Sequence, residues 1–172
     1  MKDMKKLKIT LLVFLGAILI FANIILIVMF MQKYLDTDFF TNDYLSKAER
    51  ISNLDLDGGN IVKSIDTHGG FFGEGDTLVE IQYSSDKFND IVKEISVQEH
   101  WGKLPMNEEL EKYLLGLDFE LPEKGYYLFY DRHNDAKFHY DYKAMMRRHS
   151  INFSFLIVDE DAEEVIYMEK DT

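Results

Sequence analysis

The chain has 172 residues, 19 of them basic and 31 acidic, a formal charge of −12 and no cysteine. That balance argues against a nucleic-acid partner, because such binding leans on Lys and Arg neutralising phosphates. The missing cysteines remove disulfides and thiol nucleophiles, and a 14% aromatic content excludes a disordered stalk.

The N-terminal residues 1–8 form a basic tail, with Lys2, Lys5, Lys6 and Lys8 against Asp3. Residues 9–31 follow with 23 positions and no charge. As a helix rising about 1.5 Å per residue this stretch would reach roughly 35 Å, enough for the hydrocarbon core of a bilayer. A cleaved signal peptide would have a shorter apolar region ending in small residues. This run ends in bulky Val28, Met29, Phe30 and Met31, and Ala17 and Ala22 are not spaced as a cleavage site. The expectation is an uncleaved transmembrane signal anchor touching the lipid bilayer through residues 9–31. The Lys-rich flank places the N-terminus in the cytoplasm and the rest outside, giving a single-pass protein of a bacterial cell membrane. Asn23, deep in the segment, is a candidate contact to another membrane helix.

Residues 32–42 read as a juxtamembrane linker and 43–172 as one extracellular domain. The first 33 residues carry +4, so the −12 total leaves the remainder near −16. Such a field would favour cations or a basic partner, although solubility explains it equally well.

Thr41 or Asn42 is placed to cap a helix from Asp43, in which Leu45, Ala48, Ile51 and Leu54 make one apolar face. Asp57-Gly58-Gly59 is a turn signal. Residues 60–67 predict a strand, and 77–84 alternate cleanly as its hairpin partner. Between them lies a glycine-rich stretch, His68 to Asp76, holding Phe71 and Phe72. Ser85 or Asp86 starts a second helix with the stripe Phe88, Ile91, Val92, Ile95. Trp101 opens a connector and packs over the core edge, with His100 as a local packing element beside it. Asn107 caps a short helix that Gly116 would end. Strands follow at 126–132 and, with Phe138, Tyr140 and Tyr142 on one side, at 138–142. Residues 143–150 are a short helix or a loop. The stretches 151–159 and 164–169 make a terminal hairpin. The fold class is α+β, an N-terminal transmembrane helix followed by a mostly antiparallel sheet with two or three helices on one face.

The patches HGGFFGEGDTLVEIQYS at 68–84, WGKLP at 101–105, GYYLFYDRH at 125–133 and INFSFLIVDEDAEEVIYMEKDT at 151–172 resemble a group of uncharacterised Gram-positive bacterial proteins. Those have one N-terminal membrane helix and a small outer domain. The resemblance implies an organism class and a location, and no active site.

Candidate chemistry is sparse. His68, Glu74 and Asp76 around the glycine loop would supply nitrogen and oxygen ligands to a divalent cation if the hairpin closed; otherwise they are polar residues of a tight loop facing water. Residues two apart on a strand share a face, so Asp131 with His133, and His139 with Asp141, are candidate oriented bases. They would serve equally as strand-end ion pairs. No nucleophile accompanies them: there is no Cys and no Gly-x-Ser-x-Gly elbow. Phosphate-cradling glycine motifs are absent too. Arg147 and Arg148 would receive a carboxylate ligand or pair with the domain's own acids. Phe71 and Phe72 would insert into a partner's groove or fold back as a lid.

Three functional readings follow. The first is a membrane-anchored extracellular domain that binds a protein or peptide without catalysis, the partner being another membrane or surface protein. The second is a divalent-metal-binding or metal-dependent enzyme domain using the His68–Asp76 loop. The third is a structural subunit of a membrane complex.

Overall fold

A computed structural model describes residues 14, 16, 18–27, 43–68, 74–114, 119–133 and 136–172. The chain divides into two compact units, Met1–Phe40 and Thr41–Thr172.

In the first unit the described helix covers residues 18–27, and every side chain on it is exposed. Among the described residues no helix is long and apolar enough to cross a membrane. This corrects the expectation of a transmembrane signal anchor over 9–31. The bilayer as a partner and the single-pass topology, with its cytoplasmic and extracellular sides, fall with it. The linker at 32–42 lies outside the described residues.

The second unit is built on a six-stranded antiparallel sheet in the order β1-β2-β6-β5-β4-β3. Its strands are β1 (Asn60–Asp66), β2 (Gly75–Gln82), β3 (Gly102–Lys103), β4 (Gly125–Asp131), β5 (Asn152–Asp159) and β6 (Glu164–Asp171). The hairpins β1–β2 and β5–β6 form as expected. The α+β class with an antiparallel sheet therefore stands without its membrane helix.

The helices are α1 (43–52), α2 (Ser85–Ile95), α3 (Glu108–Glu111) and α4 (Tyr142–Met145). They cover both faces of the sheet, not one. On the first face, Ala48 and Ile51 of α1 and Phe88, Ile91 and Ile95 of α2 pack on Val79, Ile81, Leu128, Leu156, Val158, Val165 and Tyr167. On the second, Leu110 of α3 and Met145 of α4 pack on Leu78, Phe129, Phe153, Phe155, Ile157, Ile166 and Met168. The sequence of β5 states the reason: six consecutive residues, Phe153 to Val158, are buried. A strand covered on both sides loses the apolar–polar alternation of a one-sided sheet. The edge strand β1 keeps that alternation.

The stripe expected on α1 forms: Ala48 and Ile51 are buried, Leu54 is buried just past the helix, and Leu45 is half-buried against the same core, which Tyr44 joins. One further local reading needs correction. The strand expected at 138–142 is a turn leading into α4: the Asp131 amide donates to the His139 carbonyl at 2.6 Å, and Asp141 caps α4 by accepting from the amides of Lys143 and Ala144. Asn107 caps α3 as expected, accepting from the Leu110 amide at 2.9 Å.

Candidate functional site

Strand register lines up one row of polar residues across the first face. Asp66 faces Thr77, Thr77 faces Glu169, Glu169 faces Ser154, and Ser154 faces Tyr130. The row next to it starts at the exposed Ser64 and runs through Val79, Tyr167, Leu156 and Leu128, all four in the apolar core. The polar row thus marks where the core ends and the rim begins. Thr77, Ser154 and Glu169 in it are buried, Glu169 at 4% exposure.

A buried carboxylate loses several kcal/mol of hydration and needs compensation. For Glu169 this comes from three sides. The Tyr167 hydroxyl donates to Oε1 at 2.5 Å. Arg132, just past β4, places a guanidinium nitrogen 3.9 Å from the same oxygen. Lys47 of α1 lies 3.7 Å from Oε2. Arg132 is itself held by Asp171 at 2.7 Å and by the Lys170 carbonyl at 3.2 Å. Burial, then the charge and hydrogen bond of Glu169, push the Tyr167 phenol well above its ordinary value.

At the outer edge, the Tyr44 hydroxyl of α1 donates to Asp66 Oδ2 at 2.6 Å. Burial and that bond raise the Tyr44 phenol to about 12. The ring of His68 lies between two carboxylates, Nδ1 at 2.7 Å from Asp66 and Nε2 at 3.0 Å from Asp171. Asp66, His68, Asp171, Arg132 and Glu169 therefore form one chain of polar contacts, with residues on or just past β1, β6 and β4.

Above this row lies a cavity of about 510 Å³, lined by Lys47, Arg50 and Ile51 of α1, Tyr130, Arg132 and His139, and Tyr167 and Glu169 of β6. The His139 ring stacks on Tyr130, centroids 4.9 Å apart and 5° from parallel. Its Nδ1 donates to the Asp131 carbonyl at 2.7 Å, which fixes the ring against the wall. Among the described residues Arg50 has no acidic partner, whereas Lys47 is shared between Asp43 at 3.1 Å and Glu169.

The residues singled out from sequence are mostly dispersed. His68 stays with Asp66 and Asp171, while Asp76 points to the other face and takes Lys170 at 3.0 Å. Glu74 is exposed. Among the described residues no group of three His, Asp or Glu side chains could hold a metal ion, which corrects the metal-site reading of His68, Glu74 and Asp76 and removes the divalent cation inferred from them. Asp131 is fully buried on the second face, where its carboxylate takes Arg148 and the His133 amide. Arg148 thus pairs with the domain's own acid; Arg147 is exposed. Asp141 caps α4 and does not orient His139. Trp101 donates to Gln98 at 3.3 Å and packs at the core edge. Asn23 donates to the Leu19 carbonyl of its own helix at 2.8 Å. Phe71 and Phe72 lie outside the described residues. His139 alone of the predicted set lines the cavity.

The residues that sequence reasoning missed are Lys47, Arg50, Arg132, Tyr167 and Glu169. One signal was present: Val165, Tyr167 and Glu169 continue a single period-two face, so Glu169 sits where a core residue is due.

No family model, curated protein or solved structure matches the chain. The resemblance to Gram-positive membrane-anchored proteins, drawn from the patches at 68–84, 101–105, 125–133 and 151–172, is therefore withdrawn.

Proposed function

We propose that the domain binds a small organic anion in the cavity between α1 and the polar row of the sheet. The observation that carries this reading is Arg50, a cation at the cavity wall without an acidic partner among the described residues, in a chain whose charge is −12. Lys47 and Arg132 add two more cations, and Glu169 is the one acid in the lining. The excess negative charge elsewhere does not prevent this. At physiological salt, exposed charges more than about 8 Å apart are largely screened, while groups in direct contact are not. Ile51 and the stacked Tyr130–His139 pair offer an apolar wall for the carbon skeleton. Apolar walls with a few convergent polar groups are the ordinary make-up of a small-molecule site. This reading replaces the three drawn from sequence, which depended on a membrane anchor or a metal cluster.

The test is calorimetric titration of the full chain with succinate and with inorganic phosphate, repeated on Arg50→Gln. Arg50 is exposed, so the substitution should leave the fold intact while weakening the anion by about tenfold, the worth of one charge-assisted hydrogen bond. Absence of binding by any anion at millimolar concentration, or equal binding by Arg50→Gln, would overturn the reading.

A further inference from the structure

Glu169 is nearly all buried, yet its two oxygens are treated differently. Oε1 accepts from Tyr167 at 2.5 Å and faces Arg132. Among the described residues, the partner recorded against Oε2 is Lys47 Nζ, at 3.7 Å. That is an ion-pair distance and lies beyond hydrogen-bond reach. Lys47 is drawn the other way by Asp43 at 3.1 Å, one helical turn earlier on α1. Glu169 is also one of the cavity's lining residues. Among the described residues Oε2 is not one of the side-chain atoms sealed from solvent without a partner, so it opens on the cavity as an acceptor that an occupant can reach.

We infer that the occupant donates a hydrogen bond to Glu169 Oε2 while its acid group meets the Arg50 and Arg132 side of the cavity, so that the ligand class is hydroxy or amino acids rather than plain carboxylates. This rests on the anion-binding reading. The geometry separates the two ends of such a ligand: cations Arg50 and Arg132 for its carboxylate, the anion Glu169 for its hydroxyl or ammonium. A plain diacid would satisfy the first end and leave Glu169 Oε2 without a donor from the ligand. Sites built to hydrogen-bond a substrate donor reject analogues lacking it, because the site's own polar group is then stranded.

Succinate, malate and aspartate share a four-carbon diacid skeleton and differ by no donor, one hydroxyl or one ammonium. Titrated into the full wild-type chain, malate or aspartate should bind about tenfold more tightly than succinate. In Glu169→Gln, checked for folding by circular dichroism, that ratio should fall towards one. If all three bind wild type within twofold of each other, or if the ratio survives in folded Glu169→Gln, the inference is overturned while anion binding stands. If none binds, the anion-binding reading fails and the inference with it. The wild-type ratio decides the matter by itself should Glu169→Gln not fold.

Discussion

Tyr44 and Asp66 meet at 2.6 Å across 22 residues of sequence, fastening α1 to the edge strand of the sheet. That bond helps to hold the helix carrying Lys47 and Arg50, which lie about one and two turns further along on the cavity side. Tyr44→Phe should therefore cost about 1–2 kcal/mol, the range for a hydrogen bond to a charged acceptor at a partly exposed site. Urea denaturation at neutral pH measures it. A loss below a few tenths would mean that α1 is held by apolar packing alone.

Asp66 also sets an acid limit. Burial would raise its carboxyl, but the Tyr44 hydroxyl and the backbone and ring of His68 outweigh that and hold it below the usual carboxylate range. A group that ionises more readily folded than unfolded stabilises the fold above its unfolded value, near 4, and the contribution is lost as pH falls through the lower folded value. Stability should thus decline below about pH 4. In Tyr44→Phe the carboxyl carbon resonance of Asp66 should titrate at higher pH than in wild type. An unchanged midpoint would remove the hydroxyl as its cause.

Three phenols set the alkaline limit. Burial is the largest cause in each, raising Tyr44 to about 12 and pushing Tyr83 and Tyr167 well above their ordinary value. The folded chain keeps protons there that the unfolded chain releases from about pH 10 upward, so stability should fall as pH rises past that point. Phenolate absorbance and circular dichroism followed together check this. Ionisation of all ten tyrosines near pH 10 with native dichroism intact would contradict it.

On the second face, Asp131 depends on Arg148 for compensation. Arg148→Met would leave a fully buried carboxylate without its cation and should cost about 3 kcal/mol. The double variant Asp131→Asn, Arg148→Met should lose less than the sum of the single ones, because the second change removes the stranded charge. Strict additivity in thermal melts would show that the pair is uncoupled.

Gly125, where β4 begins, has φ +139°, and a Cβ there would fall on the Val158 carbonyl oxygen. Gly125→Ala should cost about 2 kcal/mol or more, since backbone must move to admit it. Gly58→Ala, also at positive φ but with open space around it, should cost only about 1 kcal/mol. Equal effects in the two variants would mean that φ, and not the clash, sets the cost.

Strand hairpins and helix stripes were legible because they are local. Ile81 and Tyr83 alternate with Glu80 and Gln82, and Phe88, Ile91 and Ile95 recur at helical spacing, whatever lies across from them. The aromatic alternation Phe138, Tyr140, Tyr142 misled for the same reason: nothing in it reveals that Asp141 will cap a helix. Burial of the sheet on both faces was written in the unbroken apolar run of β5, which a one-sided reading passes over. The cavity was hidden because its parts come from α1, β4 and β6 and meet only through register. His68 and Asp171, 103 residues apart, become neighbours by that means alone. The histidines drew attention as chemical residues, whereas the site rests on Arg, Lys and a glutamate inside a hydrophobic strand.

The strand order puts β5 and β6 between β2 and β4, although they are last in the chain. The ribbons β1–β2 and β3–β4 therefore share no edge with each other, and the β5–β6 hairpin is the only link between them in the sheet. Glu169 lies on that hairpin, so the element that joins the two halves of the sheet also carries the buried acid of the cavity.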